Sequence, residues 1–305
     1  MNNLFYSFND FLKEKFGCRV HRLSLDGGFN CPNIDGRLSD KGCYYCNNKG
    51  FVGYLNTAKP LSVQIEESMQ FARARFKAEK FIAYFQSFTS TYADIDSLRE
   101  KYDLIKRYPE IVGISISTRP DNLSMSEEKL DLISEYKKDY MVWLEYGLQS
   151  ANDKTLEAVN RNHTAEDFSK WVKLSKDRGF LVGAHVILGF PQEKKEDVFY
   201  TADFISKNNV DGVKLHCFHI LKDTVYEDVY KQGKFKLFSQ SEYVELTADF
   251  LERIDPKIVI LRLVSNAFGK SLVAPYWIND KQKVIISIEK ELLSRNSYQG
   301  KLFRV

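Results

Sequence analysis

Three cysteines with a spacing suited to a metal centre stand out in the sequence. They are Cys31, Cys43 and Cys46, and the last two form a Cys-x-x-Cys pair that can bind one metal centre from a single turn. The loop between Cys31 and Cys43 is rich in Pro, Asn, Asp, Ser and Gly, which favour turns and disfavour a helix or a strand. We therefore expect this loop to fold back and bring the three thiols together.

Three thiolates suit two kinds of metal centre. One is a tetrahedral zinc site that lacks one ligand, and the other is a four-iron cluster in which one iron stays open. For zinc, the Cys18-x-x-His21 pair could join the Cys-x-x-Cys pair in a Cys3His set, although this leaves Cys31 unused. Disulfides are not expected, because the sequence lacks the features of a secreted chain. The spacing alone leaves iron–sulfur and zinc open.

The segment from Phe29 to Asn47 resembles the cluster loop of radical S-adenosylmethionine (SAM) enzymes. More closely, its pattern Asn-Cys…Gly-Cys-Tyr-Tyr-Cys-Asn is similar to a branch related to the Elongator catalytic subunit, in which the first gap is long. The common superfamily pattern has only three residues between its first two cysteines, so this chain departs from it. The final Cys-x-aromatic-Cys is shared.

This resemblance implies the cofactors. They would be a [4Fe–4S] cluster on the three cysteines and SAM, whose amino and carboxyl groups chelate the open iron. Tyr45 would lie beside the adenine. Electron transfer from a flavodoxin- or ferredoxin-type donor would then cleave SAM and give a 5′-deoxyadenosyl radical.

Short apolar stretches alternate with amphipathic helical patterns along the chain. From Val20 onward, strand starts recur about every thirty to forty residues after the first loop, which is the length of a βαβ unit. Six such units, ending at Gly212–Cys217, predict a curved parallel sheet with helices outside, and the resemblance implies a partial (βα)6 barrel. We interpret residues 1–238 as this core, with an N-terminal helix at 2–16. Residues 239–305 are interpreted as a C-terminal α/β extension packed on the core, so that the chain forms a single structural domain.

Local signals refine these boundaries. Ser124 and Glu127 form a capping-box pattern that predicts the start of a helix after the third strand, and Ser239 and Glu242 predict another in the extension. The apolar stretch at 258–263 predicts a strand that also belongs to the extension.

Composition indicates one globular enzyme domain. The chain has 305 residues, of which 44% are hydrophobic and 28% charged, so it can bury a large core and is not disordered. Its longest apolar runs are too short to cross a membrane, and its first residues do not form an export signal. We therefore expect a cytoplasmic protein that does not bind membranes.

The net charge of +3 is unevenly distributed. Residues 281–305 carry an excess of basic side chains over two glutamates, whereas the rest of the chain is close to neutral. These basic residues are Lys281, Lys283, Lys290, Arg295, Lys301 and Arg304. They are either a surface for nucleic acid, here tRNA, or the solvated face of a helix.

Functional side chains of such barrels lie at the C-terminal ends of the strands. After the second strand, Thr89 and Ser90 stand where many relatives place a Gly-Gly-Glu or Gly-Gly-Thr turn, so the resemblance implies only a hydroxyl or backbone contact to SAM there. After the third strand, Arg119 and Asp121 form either a surface ion pair or part of a site.

The fourth and fifth strands extend the resemblance. Their Gly-Leu-Gln-Ser turn and the following Asn-Arg-Asn-His segment are similar to motifs of the superfamily, which implies that Gln149 binds the ribose and Arg161 the carboxylate of SAM. The guanidinium fork of an arginine matches a carboxylate. Glu145, on an otherwise apolar strand, needs a partner such as an ammonium group. Ile187 and Leu188 are expected to flank the adenine.

The resembled branch is implicated in tRNA modification. The implied reaction converts a 5-carboxymethylaminomethyl group on the wobble uridine into 5-aminomethyl. This substrate needs a cation near the reacting carbon, and Lys214 and Arg262 are the best placed by strand position. His185 and Cys217 are interpreted as interior residues. The alternatives are radical chemistry on another RNA base or a small metabolite, and a zinc-stabilised barrel that binds RNA without catalysis.

Overall fold

Strands and helices alternate along most of the chain. The computed structural model describes residues 4–47, 59–265 and 271–304. The strands are β1 (Val20–Leu25), β2 (Lys80–Phe85), β3 (Ile111–Thr118), β4 (Met141–Gln149), β5 (Leu181–Leu188), β6 (Gly212–Cys217), β7 (Ile220–Leu221), β8 (Val259–Arg262) and β9 (Leu272–Ala274). The helices are α1 (Phe8–Phe16), α2 (Leu61–Phe76), α3 (Ile95–Asp103), α4 (Glu127–Ser134), α5 (Asp153–Ala158), α6 (Ala165–Asp177), α7 (Lys195–Lys207), α8 (Val225–Lys231), α9 (Gln240–Arg253) and α10 (Lys281–Ser294).

Seven of these strands form one parallel sheet in the order β1-β2-β3-β4-β5-β6-β8. The predicted partial barrel is therefore confirmed, with one strand more than its six units. The additional strand, β8, comes from the segment 239–305 and places Arg262 beside Lys214 of β6. β7 and β9 form a separate antiparallel pair.

The local signals identify most helix ends. Gly17 ends α1 with a φ of 68°, as predicted, but α1 begins only at Phe8 because the side chain of Ser7 accepts a hydrogen bond from the Asp10 amide. Residues 2–3 of the predicted helix lie outside the described residues. The Ser239 capping box is confirmed. For α4, the cap is Ser126 instead of Ser124.

Apolar side chains close the end of the sheet where the strands begin. Phe8 and Phe11 of α1 both pack edge-on against Trp143 of β4, with ring centroids 6.0 and 5.7 Å away. Leu12, Val20 and other buried apolar residues complete this group. Functional groups are therefore concentrated at the opposite end. No helix in the described ranges is long and apolar enough to cross a membrane.

The outer edge of β8 is covered by two segments that are distant in sequence. Ser7 forms a parallel bridge with Ile260. The side chain of Gln299 accepts a hydrogen bond from the Tyr6 amide at 2.9 Å and donates to the carbonyl of Ile258 at 2.8 Å. Because an open strand edge can pair with other chains, these contacts protect the sheet.

Candidate functional site

A cavity opens at the C-terminal ends of the strands. It brings together nine of the residues predicted from the sequence, which are Cys31, Cys43, Tyr45, Cys46, Thr89, Gln149, Arg161, Lys214 and Arg262. A smaller adjoining pocket is lined by Ile187 together with Tyr45 and Gln149. The three remaining residues that were predicted to bind a cofactor line neither pocket; they are Ser90, Glu145 and Leu188.

The three cysteines of the loop line the same cavity as free thiols. The amide of Cys46 donates to the carbonyl of Cys43 at 2.9 Å, which closes the Cys-x-x-Cys turn. The two remaining cysteines of the sequence lie on other elements. Three thiolates without a fourth fit a four-iron cluster with one open iron.

The alternative Cys3His zinc set is not assembled. Cys18 packs against the apolar group at the start of the strands, and the ring of His21 stacks on Phe76 with centroids 4.5 Å apart. The cysteine loop follows the other end of β1, whose six residues span about 20 Å at ~3.3 Å per residue. The structure thus does not bring together the Cys3His set that the sequence offered for zinc. Cys217 is buried, which raises the pKa of its thiol and confirms its interpretation as an interior residue.

Arg161 lies between strand β4 and the cysteine loop. Its guanidinium donates to the carbonyl of Gly147 at 2.8 Å and to the sulfur of Cys43 at 3.6 Å. Burial raises the pKa of the Cys43 thiol, but the charges of Arg161 and Arg119 outweigh burial and lower it below its ordinary value. Because the thiolate is the form that binds metal, this arrangement prepares Cys43 as a ligand.

Arg119 and Asp121 form a buried ion pair instead of a surface one. The guanidinium is 2% exposed, and its Nε donates to Asp121 at 2.6 Å. One terminal nitrogen, Nη2, donates to the carbonyl of Arg161 at 2.6 Å, so that Arg119 holds the Arg161 segment in place. The other, Nη1, has no hydrogen-bond partner among the described residues, and Arg119 lines the cavity.

Gln149 ends β4 with an unusual backbone conformation. Its φ is +73°, in the left-handed region that residues other than glycine rarely adopt, and its side chain lines the cavity. Tyr45, between two of the cysteines, packs on Phe190 with ring centroids 5.9 Å apart. Ile187 lies beside them, whereas Leu188 is in the core, because successive residues of a strand point to opposite faces.

Thr89 and Ser90, which follow β2, also differ in their surroundings. Thr89 lines the cavity, its amide donates to the carbonyl of Asn30 at 3.2 Å, and its buried hydroxyl has no partner among the described residues. The hydroxyl of Ser90 donates to the carbonyl of Ser87 at 3.4 Å. Thr89 therefore borders the cavity, whereas Ser90 is held within its own turn.

Glu145 is surrounded by donors from four other strands. They are Arg22 at 2.8 Å, His185 at 2.8 Å, Lys214 at 3.4 Å and the hydroxyl of Ser115. Burial opposes the charged form, but Lys214, Arg22 and His185 hold the pKa of Glu145 well below its usual range. Lys214 is an ammonium partner of the kind that the sequence required, so Glu145 is paired within the protein and does not line the cavity. We call Glu145 and these four donors the polar layer.

Lys214 and Arg262 differ in their surroundings, although both line the cavity. The ammonium group of Lys214 is 3% exposed and donates to the Tyr84 hydroxyl and to Glu145, and burial lowers its pKa well below the ordinary value. Arg262 lies close enough to Lys281 that its charge, together with the burial of Lys281, lowers the pKa of that lysine to about 8. His216, which also lines the cavity, has a buried Nε2 without a partner in the described part of the chain.

Some residues of the site were not predicted from the sequence. Arg22 lies on β1, whose sequence Val-His-Arg-Leu-Ser-Leu is half polar, so its charge gave a weaker signal than that of Glu145 on an otherwise apolar strand. Tyr84 and Asn33 gave no signal, since tyrosine is common in strands and the cysteine loop is rich in polar residues.

Comparison with known proteins identifies the family. Residues 36–205 match the model of the radical SAM superfamily, and residues 210–294 match that of the radical SAM C-terminal domain. The chain is 36% identical to the uncharacterized protein YtqA of Bacillus subtilis over 303 residues, which cover 98% of this chain and 93% of YtqA. It is 31% identical to Elongator complex protein 3 of Homo sapiens over 155 residues, covering 50% and 27% of the two chains.

A solved structure shares the fold. The Elp3 protein of Methanocaldococcus infernus superimposes with a TM-score of 0.68 at 18% sequence identity, covering 92% of this chain. The match spans 64% of the archaeal chain, so that protein is considerably longer. Together, the matched family models, the full-length relative and the three-cysteine cavity show that the chain belongs to the radical SAM superfamily, whose cofactors are a [4Fe–4S] cluster and SAM.

Proposed function

We propose that the protein modifies tRNA, converting the 5-carboxymethylaminomethyl group of a wobble uridine into 5-aminomethyl. The likeness of the cysteine loop to the branch related to the Elongator catalytic subunit supports this, as does the sequence match with Elongator complex protein 3. The observation that carries the proposal is the cavity, which is lined both by the three cysteines and by the cationic side chains of Lys214 and Arg262. Such a cavity suits an anionic substrate.

The residues on the cysteine side would bind the cofactors. Cys31, Cys43 and Cys46 would hold the cluster, while Gln149 and Arg161 would contact SAM. When bound, the cluster and SAM supply a 5′-deoxyadenosyl radical, which removes a hydrogen atom from the substrate. The protein's task is then to place the right carbon–hydrogen bond within reach.

The proposed substrate offers such a bond on the carboxymethyl carbon beside its side-chain nitrogen, where the resulting carbon radical is stabilised. Loss of one further electron, returned to the cluster, would give an imine, and water would hydrolyse its C–N bond to yield the 5-aminomethyl product and glyoxylate. SAM would thereby be the net two-electron oxidant. The carboxylate of the substrate needs a cationic partner, because a buried unpaired charge is costly. Arg262 and Lys214, neighbours on β8 and β6, are the candidates for this role, since both line the cavity. The partnerless Nε2 of His216 supplies a second polar group in the same cavity.

The body of the tRNA would be held through its phosphates. On α10, Lys283 and Lys290 are exposed, and so are Lys301 and Arg304 beyond it. Arg295 does not belong to this surface, since its guanidinium is bound to Asp249 at 2.8 Å and to two glutamates. Phosphate contacts of this kind release counterions, so binding should weaken steeply with salt.

The function is tested on tRNA that carries the carboxymethylaminomethyl group. The reconstituted enzyme is incubated anaerobically with SAM and either dithionite or a donor of the flavodoxin or ferredoxin type, and the digested nucleosides are analysed by mass spectrometry. We expect aminomethyluridine together with an equal amount of 5′-deoxyadenosine, and neither product with Cys43→Ala. Cleavage of SAM with an unchanged nucleoside would remove this substrate and favour another RNA base or a small metabolite.

Two sets of variants separate the substrate from the cofactors. Arg262→Ala should raise KM for the tRNA while 5′-deoxyadenosine is still formed without it. The double variant Lys283→Ala, Lys290→Ala should lower the salt dependence of tRNA binding by about one unit of slope per lysine. Lys15→Ala, on the exposed face of α1, is the matched control and should leave that slope unchanged.

A further inference from the structure

Three asparagines join the cysteine loop to the segment after α5. The side-chain nitrogen of Asn33 donates to the carbonyl of Asn160 at 2.8 Å, and its oxygen accepts from Asn162 at 2.7 Å. The side chain of Asn160 in turn donates to the carbonyl of Gly42 at 2.7 Å. We call Asn33, Asn160 and Asn162 the asparagine clamp. It fixes the long first gap of the cysteine motif at both of its ends.

The backbone of the clamp is shaped for this task. Asn160 and Asn162 have φ values of 54° and 55°, in the left-handed region that asparagine tolerates better than other residues with side chains. Two left-handed residues around Arg161 direct the asparagine side chains to the loop. The amide of Tyr44 also donates to the carbonyl of Val159 at 3.0 Å, so backbone contacts support the same junction.

Asn33 also contacts a cluster ligand directly. It is completely buried, and its side-chain nitrogen lies 3.3 Å from the sulfur of Cys43. Together with Arg161, it places two N–H donors on that sulfur. In iron–sulfur proteins, hydrogen bonds to the sulfurs help to set the reduction potential, because they stabilise the more negative, reduced cluster.

We propose that Asn33 raises the reduction potential of the cluster through its hydrogen bond to Cys43, and that the carbonyl of Asn160, which accepts from the same side-chain nitrogen, holds Asn33 in the position where it does so. Asn33 is thus a positioning residue that acts through Cys43, and its effect is to make the cluster easier to reduce. This inference depends on the family and its cluster and is independent of the substrate.

The test is a potentiometric titration of the reconstituted cluster followed by electron paramagnetic resonance, without tRNA. Asn33→Ser, too short to reach the sulfur, should shift the midpoint potential to more negative values. We expect a roughly tenfold change in the reduction equilibrium, which is ~59 mV for a one-electron couple. Asn33→Asp keeps the acceptor for Asn162 but places a negative charge near the sulfur, so its shift should be larger.

Asn162→Ala is the matched control, because it removes a clamp contact and leaves the donor of Asn33 in place. Its potential should lie closer to that of the wild type than to that of Asn33→Ser. An unchanged potential in an Asn33→Ser protein with full iron content would overturn the proposal, as would an equal shift in Asn162→Ala. It would also be overturned if both Asn33 variants failed to take up iron while Asn162→Ala loaded fully, since Asn33 would then serve assembly instead of the potential.

Discussion

The cysteine side of the cavity and the polar layer are both buried and charged, but they differ in how their groups are paired. Around the cysteines, Thr89 Oγ1, Arg119 Nη1 and Arg161 Nε have no hydrogen-bond partner among the described residues. In the polar layer, the carboxylate of Glu145 accepts hydrogen bonds from four neighbouring side chains. The cysteine side thus keeps polar atoms without a partner among the described residues, whereas the carboxylate at the centre of the polar layer is fully paired.

This difference separates binding from stability. A buried polar group without a partner costs about 1–3 kcal/mol, so several such groups beside one cavity suit a site that binds a polar ligand. A paired buried carboxylate, by contrast, is costly only when one of its partners is removed. Substitutions on the cysteine side should therefore affect cofactors and leave the fold intact, whereas substitutions in the polar layer should destabilise the protein.

The largest effect is expected at the three cysteines. Cys31→Ala, Cys43→Ala and Cys46→Ala should each abolish the bound cluster, as measured by iron and sulfide per chain and by the visible absorption of the anaerobic protein. Cys18→Ala and Cys217→Ala, on other elements, are the controls and should load nearly normally. Full iron loading in Cys31→Ala together with its loss in Cys18→Ala would contradict the assignment.

The polar layer should respond through stability. Glu145→Ala leaves Lys214 and Arg22 buried without their carboxylate, which should lower the free energy of unfolding by about 3–5 kcal/mol in urea titrations of the apoprotein. Glu135→Ala removes an exposed ion pair with Arg99 and should cost less than ~1 kcal/mol. If the two substitutions lowered the free energy of unfolding equally, the buried carboxylate would contribute no more to stability than the exposed one.

A pH titration probes the same layer. Burial lowers the pKa of His185 to about 4, so the folded protein keeps this ring neutral while the unfolded chain protonates it near its ordinary value of 6.5. The unfolded state therefore binds more protons between these values, and stability should fall by roughly 3 kcal/mol as the pH drops through this window. His185→Gln, which keeps a donor for Glu145, should flatten that part of the stability curve. An unchanged slope would mean that His185 titrates alike in both states.

The smallest effect is expected at Gln149. Gln149→Ala should weaken SAM binding by ~1–3 kcal/mol in calorimetry, with iron content preserved, because a polar contact to the ligand is lost. Gln149→Gly is the matched control, since glycine adopts the φ of +73° without strain. Equal loss in both variants would assign the effect to the side chain, and recovery in the glycine variant would assign it to the backbone.

Arg161→Ala sharpens the comparison further. Its guanidinium contacts the Cys43 sulfur as well as the cavity, so this variant should weaken SAM binding by a similar amount and also shift the potential of the cluster. If Arg161→Ala changed neither SAM binding nor the reduction potential of the cluster, Arg161 would have no role in binding the cofactors.

The strands were predictable because the sheet is parallel and largely covered on both faces, which makes its strands nearly continuous apolar runs. The same pattern did not reveal that β8 joins the sheet, because pairing between strands is not visible in a single sequence. The separation of Ile187 from Leu188 was predictable from strand alternation. The prediction that both Ile187 and Leu188 flank the adenine did not take this alternation into account.

Side-chain partners were less predictable than strands. Arg119 and Asp121 are two residues apart in a polar turn, and nothing local distinguishes a buried ion pair from a surface one. The contact of Asn33 with Asn160 joins residues 127 positions apart, so it depends on the packing of α5 against the cysteine loop. Residues that lie together in one motif were thus predicted from the sequence, whereas contacts between separate motifs are visible only in the structure.

The covered edge of β8 has a consequence for folding. Tyr6 pairs with Gln299, a separation of 293 residues, and Ser7 pairs with Ile260. Contacts between such distant residues form slowly, because closing a long loop costs entropy before any contact is gained. On the ribosome, the first strand can pair with its neighbours long before residue 299 is synthesised. This edge of the sheet is therefore completed only after residue 299 has been synthesised, by contacts that involve Tyr6 and Ser7.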